Sequence, residues 1–229
     1  MIAHVMGLEQ FQRGIQQYLQ INKFNNTCSK DLWNSLKNFT SLNNFEDFVK
    51  NWTFQPGYPV LHVKANGQNI IITQERFLLH GTNKTKWHIP ITYTTSNIEQ
   101  KFTNTTTQIW FSPNNTELIL KNKIIRYYRV KYDENLLRRI HSVLKTAPTN
   151  IHVLNRAQIV DDLFNFAIAE KISFAEVFDI ISFLSEDVDY YPWYSAFNGF
   201  ATTLQKISDQ NIQKKLSVEY LWYLICDLY

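Results

Sequence analysis

Six histidines, His4, His62, His80, His88, His141 and His152, are spread through the 229 residues, and no two stand three or four apart. Two imidazoles borne by one helix must sit a turn apart to face one metal ion, so the chain carries no helical zinc-ligand pair. His80 and His88 flank the loop GTNKTKW and could approach each other, although exposed loop histidines are the commoner meaning of that pattern. Carboxylates cluster at Asp161-Asp162 and at Glu186, Asp187 and Asp189. Neighbouring residues on a helix diverge, so the expected role of these groups is capping and ion pairing with Arg156 or a neighbouring helix. Arg129 lies between Tyr128 and Val130 in a strand-like run, and a buried pair with Asp133 or a domain contact is expected of it before substrate binding. No Gly-rich phosphate loop and no nucleophile elbow is present. The sequence therefore assigns no catalytic residue, no metal ligand and no cofactor site.

The classes open to such a chain are bounded by composition. A net charge of +3 and the absence of any Lys/Arg run argue against nucleic acid as a partner. With 15% aromatic and 19% charged residues the chain can bury a core. No stretch approaches 18 apolar residues, and MIAHVMGLEQF has neither a basic nor an apolar signal region, so no transmembrane segment, signal peptide or anchor is expected. Cys28 and Cys226 lie at opposite ends, which indicates no disulfide framework and leaves one long-range bridge open. Sequons N-x-[ST] occur at Asn25, Asn38, Asn51, Asn83, Asn104 and Asn114, all in the first half. They fit either chance in an Asn/Thr-rich chain or a secreted glycoprotein. On the second reading Asn25, Asn38, Asn83, Asn104 and Asn114 are the glycosylation candidates, and Asn51 is set aside because Trp52 beside it should pack inward.

Three kinds of periodicity follow one another along the chain. Leu8, Phe11, Ile15, Tyr18 and Leu19 recur at helical spacing; a second short helix starts at Lys30 with Ser29 as N-cap; a third carries Phe45, Phe48, Val49 and Trp52. From Tyr58 to about Tyr132 the period is two, with candidate strands 59–64, 69–77, 87–93, 107–112, 117–121 and 125–132, and an antiparallel hairpin turning at Asn66-Gly67. Short strands with Asn/Thr/Ser/Gly connections predict that residues 58–132 form an antiparallel β-sandwich. From Asp133 the helical period returns. Leu136, Leu137, Ile140 and Val143 form a helix ended by Ala147-Pro148, and the next, from about residue 155, carries Ile159, Leu163 and Phe166. The following one is capped by Ser173 with Glu176, one begins near Pro192, and the last near Asn211. The fold expected is α+β and multidomain: helices over 1–50, a β-sandwich over 51–132, and a helical array of HEAT or armadillo type over 133–229.

Several of these stretches carry a resemblance. Trp52, Thr53, Gln55, Gly57, Tyr58, Pro59, Val60, Val63, Gln74, Arg76 and Phe77 fall on a pattern W-T-x-Q-x-G-Y-P-V, then Q-x-R-F. Tyr127, Tyr128, Arg129, Val130, Tyr132 and Asp133 fall on Y-Y-R-V-x-Y-D; NRAQIVDDLFNFA, with Asn155, Arg156, Asp161 and Asp162, and SFLSEDVDYYPW extend the match. MIAHVMGLEQFQRGIQQYL and Asp31-Leu32-Trp33 add the start of the chain. Together these resemble the zinc aminopeptidases of the aminopeptidase N family. Two positions depart from it: Arg126 stands where the family has Gly, and Lys131 where it has Asn.

The resemblance implies the end of a catalytic domain, a β-sandwich and the start of a C-terminal helical domain from an enzyme that removes N-terminal residues from peptides. Zinc is the cofactor of the intact family, peptides are its substrates, and its setting is extracellular or cell-surface; a homodimer is left open. This chain lacks the family's H-E-x-x-H and G-x-M-E-N motifs, so it is expected to be inactive by itself. It reads as a portion cut at both ends, with uncovered apolar faces in 1–36 and in the last helix. The alternative is a non-catalytic secreted binding or scaffold protein derived from the same family.

Overall fold

The computed structural model describes residues 1–42, 45–66, 69–81, 85–90, 94–95, 118–119 and 128–206. Four helices come first: α1 (Ile2–Met6), α2 (Leu8–Ile21), α3 (Ser29–Lys37) and α4 (Phe45–Phe54). Leu36, Phe45, Phe48 and Val49 are buried together with Met6, and Phe11, Ile15, Trp33 and Trp52 pack against them. Full burial of a side chain such as Leu36 or Phe45 contributes about 1.5–3 kcal/mol. The residue capping α3 is Cys28, not Ser29 as expected: Ser29 is already helical, and the Cys28 N–H donates to Asp31 Oδ2 at 2.8 Å. The Asp at the third helical position decides the start by satisfying that N–H. Leu8, Leu19, Ile21 and Phe24 remain exposed.

Strand β1 (Pro59–Asn66) pairs antiparallel with β2 (Asn69–Arg76), the hairpin expected. The register sets Asn66 opposite Asn69, so the connecting residues are 67 and 68, one place later than Asn66-Gly67; both lie outside the described residues. β3 (Thr94–Thr95) and β4 (Leu118–Ile119) form a separate two-residue ladder. β5 (Arg129–Tyr132) then joins the other edge of β1 in parallel, giving the order β2-β1-β5. That corrects the wholly antiparallel expectation. A parallel neighbour needs a long crossover, and residues 77–128 provide one. The expected strand over 87–93 is also corrected over its described part: residues 85–90 belong to no ladder, for a reason given below, and 91–93 lie outside the described residues. Candidate strand 107–112 and most of 117–121 lie outside the described residues. What is described is a three-stranded mixed sheet whose inner face buries Leu61, Val63 and Val130 with Tyr128 and Leu136.

The helices after β5 begin where the sequence sets them. α5 (Glu134–Thr146) is capped by Asp133 and ends at Ala147 before the turn Pro148–Asn150. α6 (Val153–Ile168) is the central helix, burying Val160, Leu163, Phe164, Phe166 and Ala167. α7 (Phe174–Ile181) is capped by Ser173, whose hydroxyl accepts from the Glu176 N–H. A 3-10 turn, Ser182–Glu186, leads to α8 (Tyr190–Lys206), with Pro192 in the first turn, where its missing N–H is not needed. α6 and α8 pack closely, with Phe164 and Phe200 edge to face at 5.0 Å. Tyr132 packs against both this core and the sheet core, so the two are continuous. Eight helices and a small sheet make the described residues mostly helical. The last expected helix, near Asn211, lies outside the described residues.

Candidate functional site

The residues singled out from sequence gather at three joints between elements. The first lies where the sheet meets α6. Arg129 extends from β5, and its Nη1 donates to Asp161 Oδ2 at 2.5 Å and to Asp162 Oδ1 at 2.8 Å. The Val130 N–H donates to Asp162 Oδ2 at 3.0 Å, so both oxygens of that carboxylate are engaged. On its other side the guanidinium lies 5.5 Å from the centre of the Tyr58 ring and 5.4 Å from that of Phe77, rings that stack on each other at 5.3 Å. Arg129 Nε donates to the Tyr58 hydroxyl at 3.2 Å. Each such cation–ring contact contributes about 0.5–2 kcal/mol.

Arg129 thus pairs with Asp161 and Asp162, not with Asp133, and these two carboxylates serve Arg129, not Arg156. Adjacent aspartates that diverge from a helix can still reach one guanidinium, because a terminal nitrogen such as Nη1 carries two N–H groups and can give one to each. Asp162 is pushed up to about 7, by burial first and by Asp161 in addition, against the pull of Arg129 and the Val130 N–H. For Arg129 burial again opposes the charge, yet the two carboxylates outweigh it and drive the guanidinium further up. The partners differ because two acids share one base.

Asp133 has another task. Its Oδ1 accepts from the Leu136 N–H at 2.8 Å, capping α5, and its Oδ2 accepts from the Ala65 N–H of β1 at 2.7 Å. Replacing Asp133 by Ala removes a cap, worth about 1 kcal/mol, and strips a backbone donor of its partner, about 1–3 kcal/mol more. Urea unfolding of Asp133→Ala is expected to show a loss of about 2–4 kcal/mol, with Asp133→Asn nearer wild type because it keeps one acceptor.

A second joint fixes the strap 85–90. Asn51 Oδ1 accepts from the His88 N–H at 2.7 Å, and its Nδ2 donates to the Lys86 carbonyl at 3.3 Å. Trp52 Nε1 donates to the His88 carbonyl at 2.7 Å, and Gln55 Nε2 to that of Lys86 at 3.1 Å. From β2, Gln74 meets Trp87 with both ends of its amide, accepting from the N–H at 2.7 Å and donating to the carbonyl at 2.9 Å. Side chains thus satisfy the backbone groups that a neighbouring strand would have taken, which is why no strand forms there. The same contacts occupy the carboxamide of the Asn51 sequon, whereas Asn25 and Asn38 are exposed; Asn83, Asn104 and Asn114 lie outside the described residues. His88 spends its backbone on this clamp. The Arg76 guanidinium lies against Gly57, where φ is +89° and an added Cβ would come within 2.8 Å of Arg76 Nε.

The third joint surrounds Arg156 at the start of α6. Its Nε donates to Asp187 Oδ2 at 2.7 Å, its Nη2 to Asp189 and to Asp187 Oδ1 at 3.2 Å, and its Nη1 to the carbonyls of Ile151 at 2.6 Å and Pro148 at 3.1 Å. The side chains of Arg156 and Asp187 are each 3% exposed. Trp193 Nε1 donates to the Asp187 carbonyl at 2.6 Å. The expected pairing of Glu186, Asp187 and Asp189 with Arg156 therefore holds for the two aspartates. Among the pairs that sequence reasoning missed, one joins the sheet to the turn after α6: Lys171 Nζ reaches Glu75 Oε1 at 2.6 Å, and Lys131 Nζ donates to the Lys171 carbonyl at 3.3 Å. Burial would raise Glu75, but Lys171 and His62 outweigh it and hold it low. No spacing rule links residues 75 and 171.

All three joints hold elements together and aim no side chain at a reacting atom. Zinc, which the resemblance implies for the intact family, finds no fitting ligands among the described residues. No three His, Cys, Asp or Glu side chains converge on one point among the described residues, and no step is derived through a metal. No helix among the described residues is long and apolar enough to cross a membrane.

Comparison with known proteins gives the joints their context. Residues 1–52 match the family described as Peptidase family M1 domain, and residues 124–228 that described as ERAP1-like C-terminal domain. The whole chain is 31% identical to human thyrotropin-releasing hormone-degrading ectoenzyme, of which it covers 24%. It is 29% identical over its whole length to aminopeptidase N of Plutella xylostella, covering 26% of it. Over 87% of its length it is 32% identical to a membrane alanyl aminopeptidase of Heliothis virescens, covering 22% of it. The chain thus spans about a quarter of the length of the curated relatives it matches. With family matches over residues 1–52 and 124–228, and identity near 30% over the whole chain, the chain belongs to the M1 aminopeptidase family.

Proposed function

We propose that this chain is the C-terminal portion of a zinc metallo-aminopeptidase that removes N-terminal residues from peptides, and that it has no hydrolytic activity by itself. The observation that carries the reading is full-length identity to aminopeptidases of which the chain covers only about a quarter, joined to a sequence without H-E-x-x-H. In this reading residues 1–50 end the catalytic domain, 51–132 form a β-sandwich and 133–229 open the helical domain. The work of the chain is positional. The strap clamp ties α4 to β2, Arg129 ties the sheet to α6, and Arg156 ties α6 to α8. Together they would hold the helical array at a set angle to the zinc-bearing portion. Leu8 and Leu19, exposed and about three turns apart on one side of α2, supply apolar side chains for that portion to cover. The ectoenzyme and membrane names of the relatives support a cell-surface setting.

A chimera provides the test. The chain replaces its matching quarter in the Plutella xylostella aminopeptidase N, and hydrolysis of an aminoacyl nitroanilide is measured with and without a zinc chelator. Chelator-sensitive hydrolysis by the chimera and none by the chain alone are the expected results. Hydrolysis by the isolated chain overturns the reading. A folded chimera without activity favours the non-catalytic scaffold.

A further inference from the structure

Arg129, Asp161 and Asp162 form a cluster with one base and two acids. Arginine stays protonated at any accessible pH, so with both aspartates ionised the cluster carries one uncompensated negative charge. Asp161 can spread its charge into solvent, its side chain being 46% exposed, but Asp162 is only 7% exposed. An excess charge out of water is relieved by taking up a proton. Asp162 also lines a cavity of about 30 Å³ together with Val130, Lys131, Leu137, Leu163 and Phe166. Its wall is mostly apolar, so the cavity gives the carboxylate no solvation in place of the water it has lost.

The groups facing Asp162 leave the excess in place. From β5 come Arg129 and Lys131, and the Lys131 ammonium is turned to the Lys171 carbonyl at 3.3 Å. From α6 come Asp161 and Asn165, whose Nδ2 donates to Asp161 Oδ1 at 3.2 Å. The turn after α6 brings Lys171, which is spent on Glu75 at 2.6 Å, with His62 Nε2 3.0 Å from the same oxygen. Tyr58 reaches only Arg129 Nε. To the cavity wall α5 contributes Leu137.

We infer that the seat of α6 against β5 is a proton-operated joint, in which Asp162 takes up a proton as the surroundings acidify and the helix then sits more firmly on the sheet. The protonated carboxyl keeps an oxygen for the Val130 N–H, and Arg129 passes to Asp161. The direction follows from burial, which pushes Asp162 up to about 7, above the ordinary carboxylate range near 4. Between those values the folded chain holds a proton that the unfolded chain has released. The stability this group contributes therefore falls as pH rises through the window and is flat above it.

The test compares denaturant unfolding of the wild-type chain and Asp162→Asn at pH 5, 6, 7 and 8, with a carboxyl NMR titration of Asp162 in the wild type. The ratio of unfolding constants, wild type over variant, is expected to rise by up to about tenfold per pH unit between 5 and 7 and then level off. The carboxyl is expected to titrate well above its ordinary range, and Asp161→Asn to move that midpoint down by freeing Arg129 for Asp162 alone. Hydrogen exchange at the Val130 amide should quicken between pH 5 and 7 beyond its intrinsic pH dependence. A flat ratio, a midpoint at or below 4, or a midpoint that Asp161→Asn leaves in place overturns the proposal. If Asp162→Asn does not fold, the wild-type titration and its Asp161→Asn shift decide alone.

Discussion

Replacing Arg156 by Met is expected to destabilise the chain by about 3–5 kcal/mol, the largest effect of any single change considered, measured by urea unfolding of the purified variant. The change strands Asp187, whose side chain is 3% exposed, without its countercharge. It also leaves the carbonyls of Ile151 and Pro148 without the donor that Nη1 supplies. An uncompensated buried charge is costlier than a missing ion pair, so adding Asp187→Asn should recover part of the loss even though it restores no contact. The double variant as unstable as Arg156→Met would show that the carbonyls, not the stranded carboxylate, carry the cost. The damage should centre on the 187–189 approach to α8, because Trp193 takes its Nε1 partner from the same Asp187.

Gly199→Ala should be the second severe change, although helix propensity alone would make it favourable by about 1 kcal/mol. Gly199 sits on α8 where it meets α6, and a Cβ there would come within 2.3 Å of the Phe164 ring. Phe164 is fully buried and wedged against Phe200, so the ring has nowhere to retreat. Overpacking of this kind costs about 1–3 kcal/mol, occasionally more, and ring atoms so close place Gly199→Ala at the upper end, for a net loss of about 2 kcal/mol. Thermal unfolding of this variant and of Phe164→Leu/Gly199→Ala separates the effects: the pair should regain stability if the clash is the cause.

Much of the helical part was legible because its signals are local. Ser173 with Glu176, Asp133 before Leu136, Ala147-Pro148 and Pro192 each decide a helix end within four residues, and the helices begin and end there. The hairpin was legible from alternation on either side of a short turn. What failed depends on distance along the chain. Asp133 looked like the partner of Arg129 because it is near in sequence, whereas the true partners lie 32 and 33 residues on and arrive only when α6 folds back. The run from Trp87 reads as a strand, and its backbone does want partners; that Asn51 and Gln74 provide them is invisible to any period-two pattern. The capping of α3 by Cys28 was missed because the reading favoured Ser as a cap over the Asp that reaches back. The roles of Gln55 and Gln74 were flagged only by resemblance and became physical with the strap contacts.

The parallel seat of β5 beside β1 bears on how this region can change over evolutionary time. The two strands meet in register at Val60 with Arg129 and Val63 with Tyr132, and residues 77–128 lie between the hairpin and β5. Closing so long a loop is an entropic cost that grows only with the logarithm of its length, so doubling it would weaken closure by about 0.6 kcal/mol. That is less than the loss of one helix cap. Insertions between the hairpin and β5 that spare the clamped strap 85–90 therefore add little closure cost, while single substitutions at Arg129 or Asp133 are not cheap. Selection can lengthen, shorten or redecorate this stretch in different lineages and leave the mounting of the helices on the sheet as it is.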